Sequence, residues 1–252
     1  MRRKRSKRQS STEVDRTSCN LKVHPKYIAQ RFRLFSKFEQ GISLSDSESW
    51  YSVLPEKIAS HVASRCSCDV IVDPFAGAGG SCIQFATTCT YVIAIENVSS
   101  RLMDAKHNAE IYQVSNNIDF ILGDAFQIFP SFIGKVDVIF IAPPWGGPNY
   151  ENGDFFNFGR FQYRLSEIVD SFLQVTENLA ISLPRSSSPR QIASAIPEGR
   201  LFEVEYNYLN DKCKTITVYL GSLVKSLVSS MIPQQSHSSE DREMDNGQRY
   251  QP

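Results

Sequence analysis

From residue 69 onward, short apolar runs alternate with longer amphipathic stretches. The runs "DVIVDPF" (69–75), "YVIAIE" (91–96), "IDFILGD" (118–124), "VDVIFIAPP" and "NLAISLP" (178–184) are rich in Val and Ile and predict strands. Between them, "GAGGSCIQFATTC" reads as a turn entering a helix, "SRLMDAKHNAEIYQV" reads as a helix, and a further helix falls near 163–175. β-branched strands spaced by helices predict a parallel sheet with right-handed crossovers. The last stretch changes pattern: "LFEVEYNYL" (201–209) and "KTITVYLGSLV" (214–224) alternate with period two and are joined by "NDKC". That is a hairpin, so one strand must run antiparallel.

Upstream of the sheet, residues 24–49 mix aromatics with bases at helical spacing, with Tyr27, Phe32, Phe35 and Phe38 placed to pack a helical cap on the main domain. A helix is predicted from Pro55, in its first turn, to about Ala63, with Ile58 and Val62 on one face. The expected organisation is a basic tail at 1–22, a helical cap at 23–63, the α/β domain at 64–228 and a polar tail at 229–252. Both tails lack an apolar face and are expected to be disordered.

Composition adds little until its distribution is read. Lys plus Arg equals Asp plus Glu at 27 each, yet the first ten residues, "MRRKRSKRQS", hold six bases. Such a run is a nuclear address, a nucleic-acid-contacting arm or a solvated tail. No apolar run reaches the roughly 18 residues of a membrane span, and no apolar stretch follows the basic start as a secretory signal requires. The six cysteines include Cys66 and Cys68, too close for Cys-x-x-Cys metal spacing, and the four histidines are scattered. The pattern predicts free thiols and no zinc site.

Ligands of doubly wound sheets bind at the carboxyl ends of the strands. Here the first strand ends in Asp73-Pro74-Phe75-Ala76-Gly77-Ala78-Gly79-Gly80. A dinucleotide fingerprint needs a third glycine at position 82, which is Cys82, so a nicotinamide cofactor fits poorly. An acid before the glycine turn suits a cationic amino-acid moiety instead, and S-adenosylmethionine carries an ammonium and a sulfonium. Glu96, closing the second strand, is placed for ribose hydroxyls. Asp124, followed by Ala125, is placed for an adenine amino group. Taken singly, each acid also reads as a helix cap or loop solvator. Phe75, Ala76, Gly77 and Gly79 complete the expected cofactor set. A mostly parallel sheet closed by an antiparallel hairpin is the layout of the class I S-adenosylmethionine-dependent methyltransferase fold (Rossmann-like α/β), here with a small N-terminal helical cap.

The fourth strand stops on "APPWGGPNY". Prolines fix the backbone, so the carbonyls of Ala142 and Pro143 point in set directions. Trp145 then offers a stacking face worth roughly 1–3 kcal/mol to a flat base. The alternative is a core tryptophan closing a loop. Ala142-Pro143-Pro144-Trp145 resembles the Pro-Pro-aromatic motif of nucleobase amino methyltransferases. With "KYIAQRFRLFSKFEQGISL", "WYSVLPEKIASHVA", "DVIVDPFAGAGGSCIQFA", "LPR" and "NYLNDKCKTITVYLG", the chain from about residue 24 to 225 resembles the trimethylguanosine synthase family.

The resemblance implies an enzyme that moves two methyl groups from S-adenosylmethionine to the exocyclic 2-amino group of a 7-methylguanosine RNA cap. It implies capped small nuclear and small nucleolar RNAs as substrates, their ribonucleoprotein proteins as partners, and a nuclear, monomeric enzyme with some cytoplasmic residence. It assigns Ala142, Pro143 and Trp145 to catalysis, and Trp145, Pro144, Lys57 and Arg185 to the cap, with Lys212 and Lys214 as further phosphate candidates. No metal is called for. Three features depart from the family: Ala142 stands where Ser is common, Glu96 where Asp is usual, and Leu54 where Thr is common before "PEKIA". Two rival functions share the fold. One is a methyltransferase for adenine or ribosomal guanine; the other is a non-catalytic cap-binding scaffold, which Ala142 favours and the retained acids Asp73, Glu96 and Asp124 oppose.

Overall fold

A computed structural model of the chain describes residues 23–145, 156, 158 and 164–225. The elements run α1 (Pro25–Ile28), α2 (Arg31–Leu34), α3 (Ser49–Ser52), α4 (Glu56–Arg65), β1 (Val70–Asp73), α5 (Gly80–Phe85), β2 (Tyr91–Glu96), α6 (Ser99–Tyr112), β3 (Ile118–Leu122), α7 (Ala125–Ile128), β4 (Val138–Ile141), α8 (Leu165–Leu173), β5 (Leu179–Pro184), α9 (Pro189–Ala195), β6 (Phe202–Leu209) and β7 (Lys212–Leu220). Expectations about the two tails and about Gly146, Gly147 and Pro148 lie outside the described residues.

The seven strands form one sheet in the order β3-β2-β1-β4-β5-β7-β6. β1 pairs in parallel with both β2 and β4, so the strand order reverses at β1/β4. β7 enters antiparallel between β5 and β6. All four residues of β4 and all six of β5 are buried, which is why these strands read as continuous apolar runs. Two apolar clusters cover the sheet faces. One joins Ile71, Val92, Phe140 and Tyr219 to α4, α5 and the cap; the other joins Val72, Ile139, Ile181 and Ile216 to α8 and α9.

The cap is helical in short pieces: α1, α2 and α3 are four residues each, interrupted where Phe35 is extended and Gly41 takes φ +100°. Of the four rings expected to pack, Phe35 is buried and Tyr27 and Phe38 are half-buried, but Phe32 is 44% exposed; Leu34, Ile42, Leu44 and Trp50 join Phe35 in the cluster with α4 and α5. The hairpin turn is also tighter than the quoted "NDKC". Only Asn210 and Asp211 form it, both at positive φ (51° and 59°), where short polar side chains are tolerated. Lys212 and Cys213 belong to β7.

Candidate active site

The glycine turn leaves β1 and enters α5 with Gly77 at φ +52° and Gly79 at φ +85°. A Cβ added at Gly77 would meet nothing within 4 Å, so open space borders the turn there. At Gly79 a Cβ would lie 3.0 Å from the Ala105 backbone, so the second glycine lets α6 approach. At Gly80 it would lie 2.8 Å from Val53 Cγ1, where the cap crosses the turn.

The acids at the strand ends have distinct tasks. Glu96 is buried, and its two oxygens accept the backbone N–H groups of Gly77 and Val98, each at 2.9 Å. It therefore holds the glycine turn in shape, and its carboxylate keeps spare lone pairs for a diol. Asp73 is only 1% exposed and lies beneath the turn. It accepts from Phe75 N–H (3.1 Å) and from the Cys82 thiol (3.3 Å). Burial pushes its pKa up to about 7, only partly offset by those two hydrogen bonds. Asp124 caps α7, accepting from Phe126 N–H at 3.0 Å and Gln127 Nε2 at 3.4 Å. Ala76 and Ala125 are buried beside these acids, and Phe75 stands edge-on to Phe126 at 6.2 Å.

α6 ties this turn to the cap. Asn108, fully buried, accepts Ser43 N–H through its carbonyl and donates its amide to the carbonyls of Ser43 and Ala78. Asp104 accepts from Ser43 Oγ, Ser45 N and Ser45 Oγ. Arg101 bonds Asp46 and Glu48 at 2.5 and 2.6 Å.

Beside the turn opens a cleft of about 350 Å³ at the carboxyl ends of β4 and β5. Its floor is Ala142, Pro143, Pro144 and Trp145, its far wall is β5 and β7 with Arg185 and Lys214, and its roof is the cap, with Lys26, Tyr27, Trp50 and Tyr51. Trp145 is half-buried. Its indole N–H donates to the Ser182 carbonyl at 2.9 Å, and Phe156 and Phe158 stand edge-on to it at 5.6 and 5.7 Å. The ring is thus locked in orientation while lining the cleft. Tyr27 and Tyr51 meet edge-on at 4.5 Å across the roof. Trp50 is buried at the cleft wall, and its indole N–H finds no hydrogen-bond partner among the described residues.

The sequence expectations are met unevenly. Ala142, Pro143, Pro144, Trp145, Arg185 and Lys214 converge on the cleft. Lys57 does not: it stands exposed on α4 and is not part of the lining. Its helix turns it outward, because the buried face of α4 is taken by Ile58, Ala59, Val62 and Ala63. Lys26 lines the cleft, and sequence reasoning missed it. The available signal was its position next to Tyr27 in the aromatic and basic cap.

This strand order, with a glycine turn after β1 and an acid closing β2, defines a class I methyltransferase. A solved structure described as a methyltransferase, from Porphyromonas gingivalis W83, shares the fold at a TM-score of 0.61, with 14% identity, over 80% of this chain and 49% of that one. The family model for RNA cap guanine-N2 methyltransferases matches residues 68–223. Trimethylguanosine synthase of Schizosaccharomyces pombe is 36% identical over 182 residues, 69% of this chain and 75% of the relative. That of Saccharomyces cerevisiae is 32% identical over 180 residues, 68% of this chain and 57% of the relative. The chain belongs to the RNA cap guanine-N2 methyltransferase family, and S-adenosylmethionine is the methyl donor of this fold and family. The residues present fit that donor: the turn is glycine where the backbone borders open space, and Glu96 ends β2 against it.

Proposed function

We propose that the chain converts a 7-methylguanosine RNA cap to the 2,2,7-trimethyl form by two successive transfers to the exocyclic 2-amino group. The carrying observation is the Trp145 ring, fixed through Ser182 and lining a cleft that Lys26, Arg185 and Lys214 also line. A 7-methylated guanine is a flat cation, and an indole face is the best side chain for holding one, worth roughly 2 kcal/mol when desolvated. The cap triphosphate needs cations that do not read bases, and those three residues supply them.

Glu96 and the glycine turn from Asp73 to Gly79 hold the donor, with Asp124 and Ala125 at its adenine end. When bound, S-adenosylmethionine supplies an electrophilic methyl group. The chain supplies position. Trp145 and Pro144 fix the plane of the guanine. The carbonyls of Ala142 and Pro143 accept the hydrogens of the 2-amino group and turn its lone pair. The cap and Tyr51 exclude water from above. Ala142 offers no side-chain acceptor, which costs about one decade in rate at most, so turnover persists through the backbone.

Small nuclear and nucleolar RNAs are the proposed substrates, with their ribonucleoprotein proteins as recruiting partners. The enzyme is proposed to act as a monomer in the nucleus, addressed by the basic residues between Arg2 and Arg8. Incubation of purified protein with labelled donor and 7-methyl-GDP tests the reaction. Mass analysis is expected to show mono- and then dimethylated product, and no label in GDP. Equal labelling of GDP would overturn the cap assignment.

A further inference from the structure

The hairpin that closes the sheet carries two rings the core does not use. Tyr206 is 46% and Tyr208 61% exposed, two residues apart on β6, the edge strand. The other face of this strand is already engaged. Glu203 and Glu205 bond Arg65, and the Asn207 amide bonds Thr215 and Thr217.

The strand order puts the rings toward the end of the sheet that bears the cleft, which neither of them lines. β6 ends, and β7 begins, at the same end of the sheet where β4 and β5 deliver Trp145 and Arg185. Tyr208 pairs with Cys213, and on the other side of β7 Thr215 pairs with Pro184, the neighbour of Arg185. Paired residues share a face of the sheet. Thr215 also pairs with Asn207, so Pro184 shares the face of Asn207, and Arg185, one residue on, falls on the face of Tyr208. Between Tyr208 and Asn207 the pairing skips Lys214, and the irregularity re-aims this lysine into the cleft wall. Lys212, exposed at the turn, pairs with Leu209 and so lies on the face opposite Tyr208. Arg185 and Lys214 therefore stand in the cleft wall at the end of the sheet that carries Tyr208, with Tyr206 two residues back along β6.

Cations that track a backbone, interleaved with exposed rings, are the requirement for binding single-stranded nucleic acid without base readout. We propose that the β6–β7 hairpin is the seat of the first nucleotides downstream of the cap. Tyr208, then Tyr206, stack on their bases, and Lys214 meets the first phosphate. The proposal rests on the cap reading of the cleft and extends it: the enzyme grips RNA as well as a cap, and does so without sequence preference.

The test measures equilibrium binding of the full chain, at one fixed salt concentration, to 7-methyl-GDP, a short 7-methylguanosine-capped oligoribonucleotide and the same oligonucleotide uncapped. The wild type is expected to bind the capped oligonucleotide more tightly than 7-methyl-GDP. Tyr206→Ala with Tyr208→Ala is expected to remove roughly tenfold or more of that affinity while leaving 7-methyl-GDP binding unchanged. The double Phe variant keeps the rings and should keep the affinity. Wild-type affinity for the capped oligonucleotide in the double Ala variant overturns the proposal, and so does an equal loss for 7-methyl-GDP. If the wild type fails to prefer 7-methyl-GDP over GDP, the cap reading falls by itself. Tyrosine-dependent binding of the uncapped oligonucleotide would then leave the hairpin standing as an RNA surface.

Discussion

Single side chains in this enzyme do two tasks at once, and their substitution separates them. In the proposed reaction Trp145 stacks on the guanine, while in the structure its N–H anchors the Pro-Pro turn to β5 through Ser182. Trp145→Phe should keep part of the stacking and lose the anchor; Trp145→Ala should lose both. The expected order of cap methylation rates is wild type, then Phe, then Ala with almost none, in proteins of unchanged circular dichroism. Asp73 is different, because its charge opposes the fold. The folded protein holds its proton up to a pH of about 7, whereas the unfolded chain releases it near 3.8. Between those values the unfolded state binds fewer protons, so stability must fall as pH rises and level off above about 7. A rise of that size corresponds to roughly 4 kcal/mol at full effect. Asp73→Asn should flatten this limb in urea titrations between pH 4 and 7, as well as raise stability at pH 8 relative to wild type. An unchanged slope would mean that burial of the carboxyl is offset by something besides Phe75 and Cys82.

At the scale of elements, the glycine turn and α6 form one device. Gly77 and Gly79 both sit at positive φ, but only Gly79 faces a neighbouring backbone, at 3.0 Å. Gly77→Ala should cost the conformational strain alone, roughly 1–2 kcal/mol. Gly79→Ala should cost more, because Ala105 must move as well. A thermal melt of the two variants should rank them in that order, and donor affinity should fall further for Gly79→Ala as the turn is displaced. Asn108 bridges that turn to the cap through Ala78 and Ser43. Asn108→Ala leaves buried backbone groups without partners, at roughly 1–3 kcal/mol. It should also expose the cap to limited proteolysis before the sheet, since the lost bonds include the two that dock Ser43 on α6.

The whole molecule is locked by a charge cluster on the face opposite Tyr206 and Tyr208. Arg65, at the end of α4, forms a two-pronged pair with Glu203 at 2.9 and 3.0 Å, reaches Glu205 at 3.4 Å and lies 4.0 Å over the Tyr219 ring. Burial alone would push Glu203 up, yet the Arg65 hydrogen bonds bring it below the usual carboxylate range. The Arg65 side chain is 9% exposed, so its removal strands two partly buried acids. Arg65→Ala should destabilise the protein by roughly 3–5 kcal/mol, read as a lower denaturation midpoint with donor affinity in the folded protein retained.

Much of this architecture is local information, and the sequence by itself determined it. Strand positions follow from runs of β-branched residues, and the hairpin from period-two alternation around Asn210 and Asp211. The open turn follows from glycines at 77 and 79, and the flat aromatic face from Pro143-Pro144-Trp145. Only the tertiary structure decided which charges converge. Lys57 leaves the cleft with the exposed face of α4, but Lys26 enters it only because the cap docks on α6, which no local period encodes. The same holds for the acids. Asp73 lies under the turn against Cys82, Glu96 grips backbone amides and Asp124 caps a helix. A carboxylate's task depends on which donors the packed chain brings within 3 Å or so of it, and on how much water that packing removes.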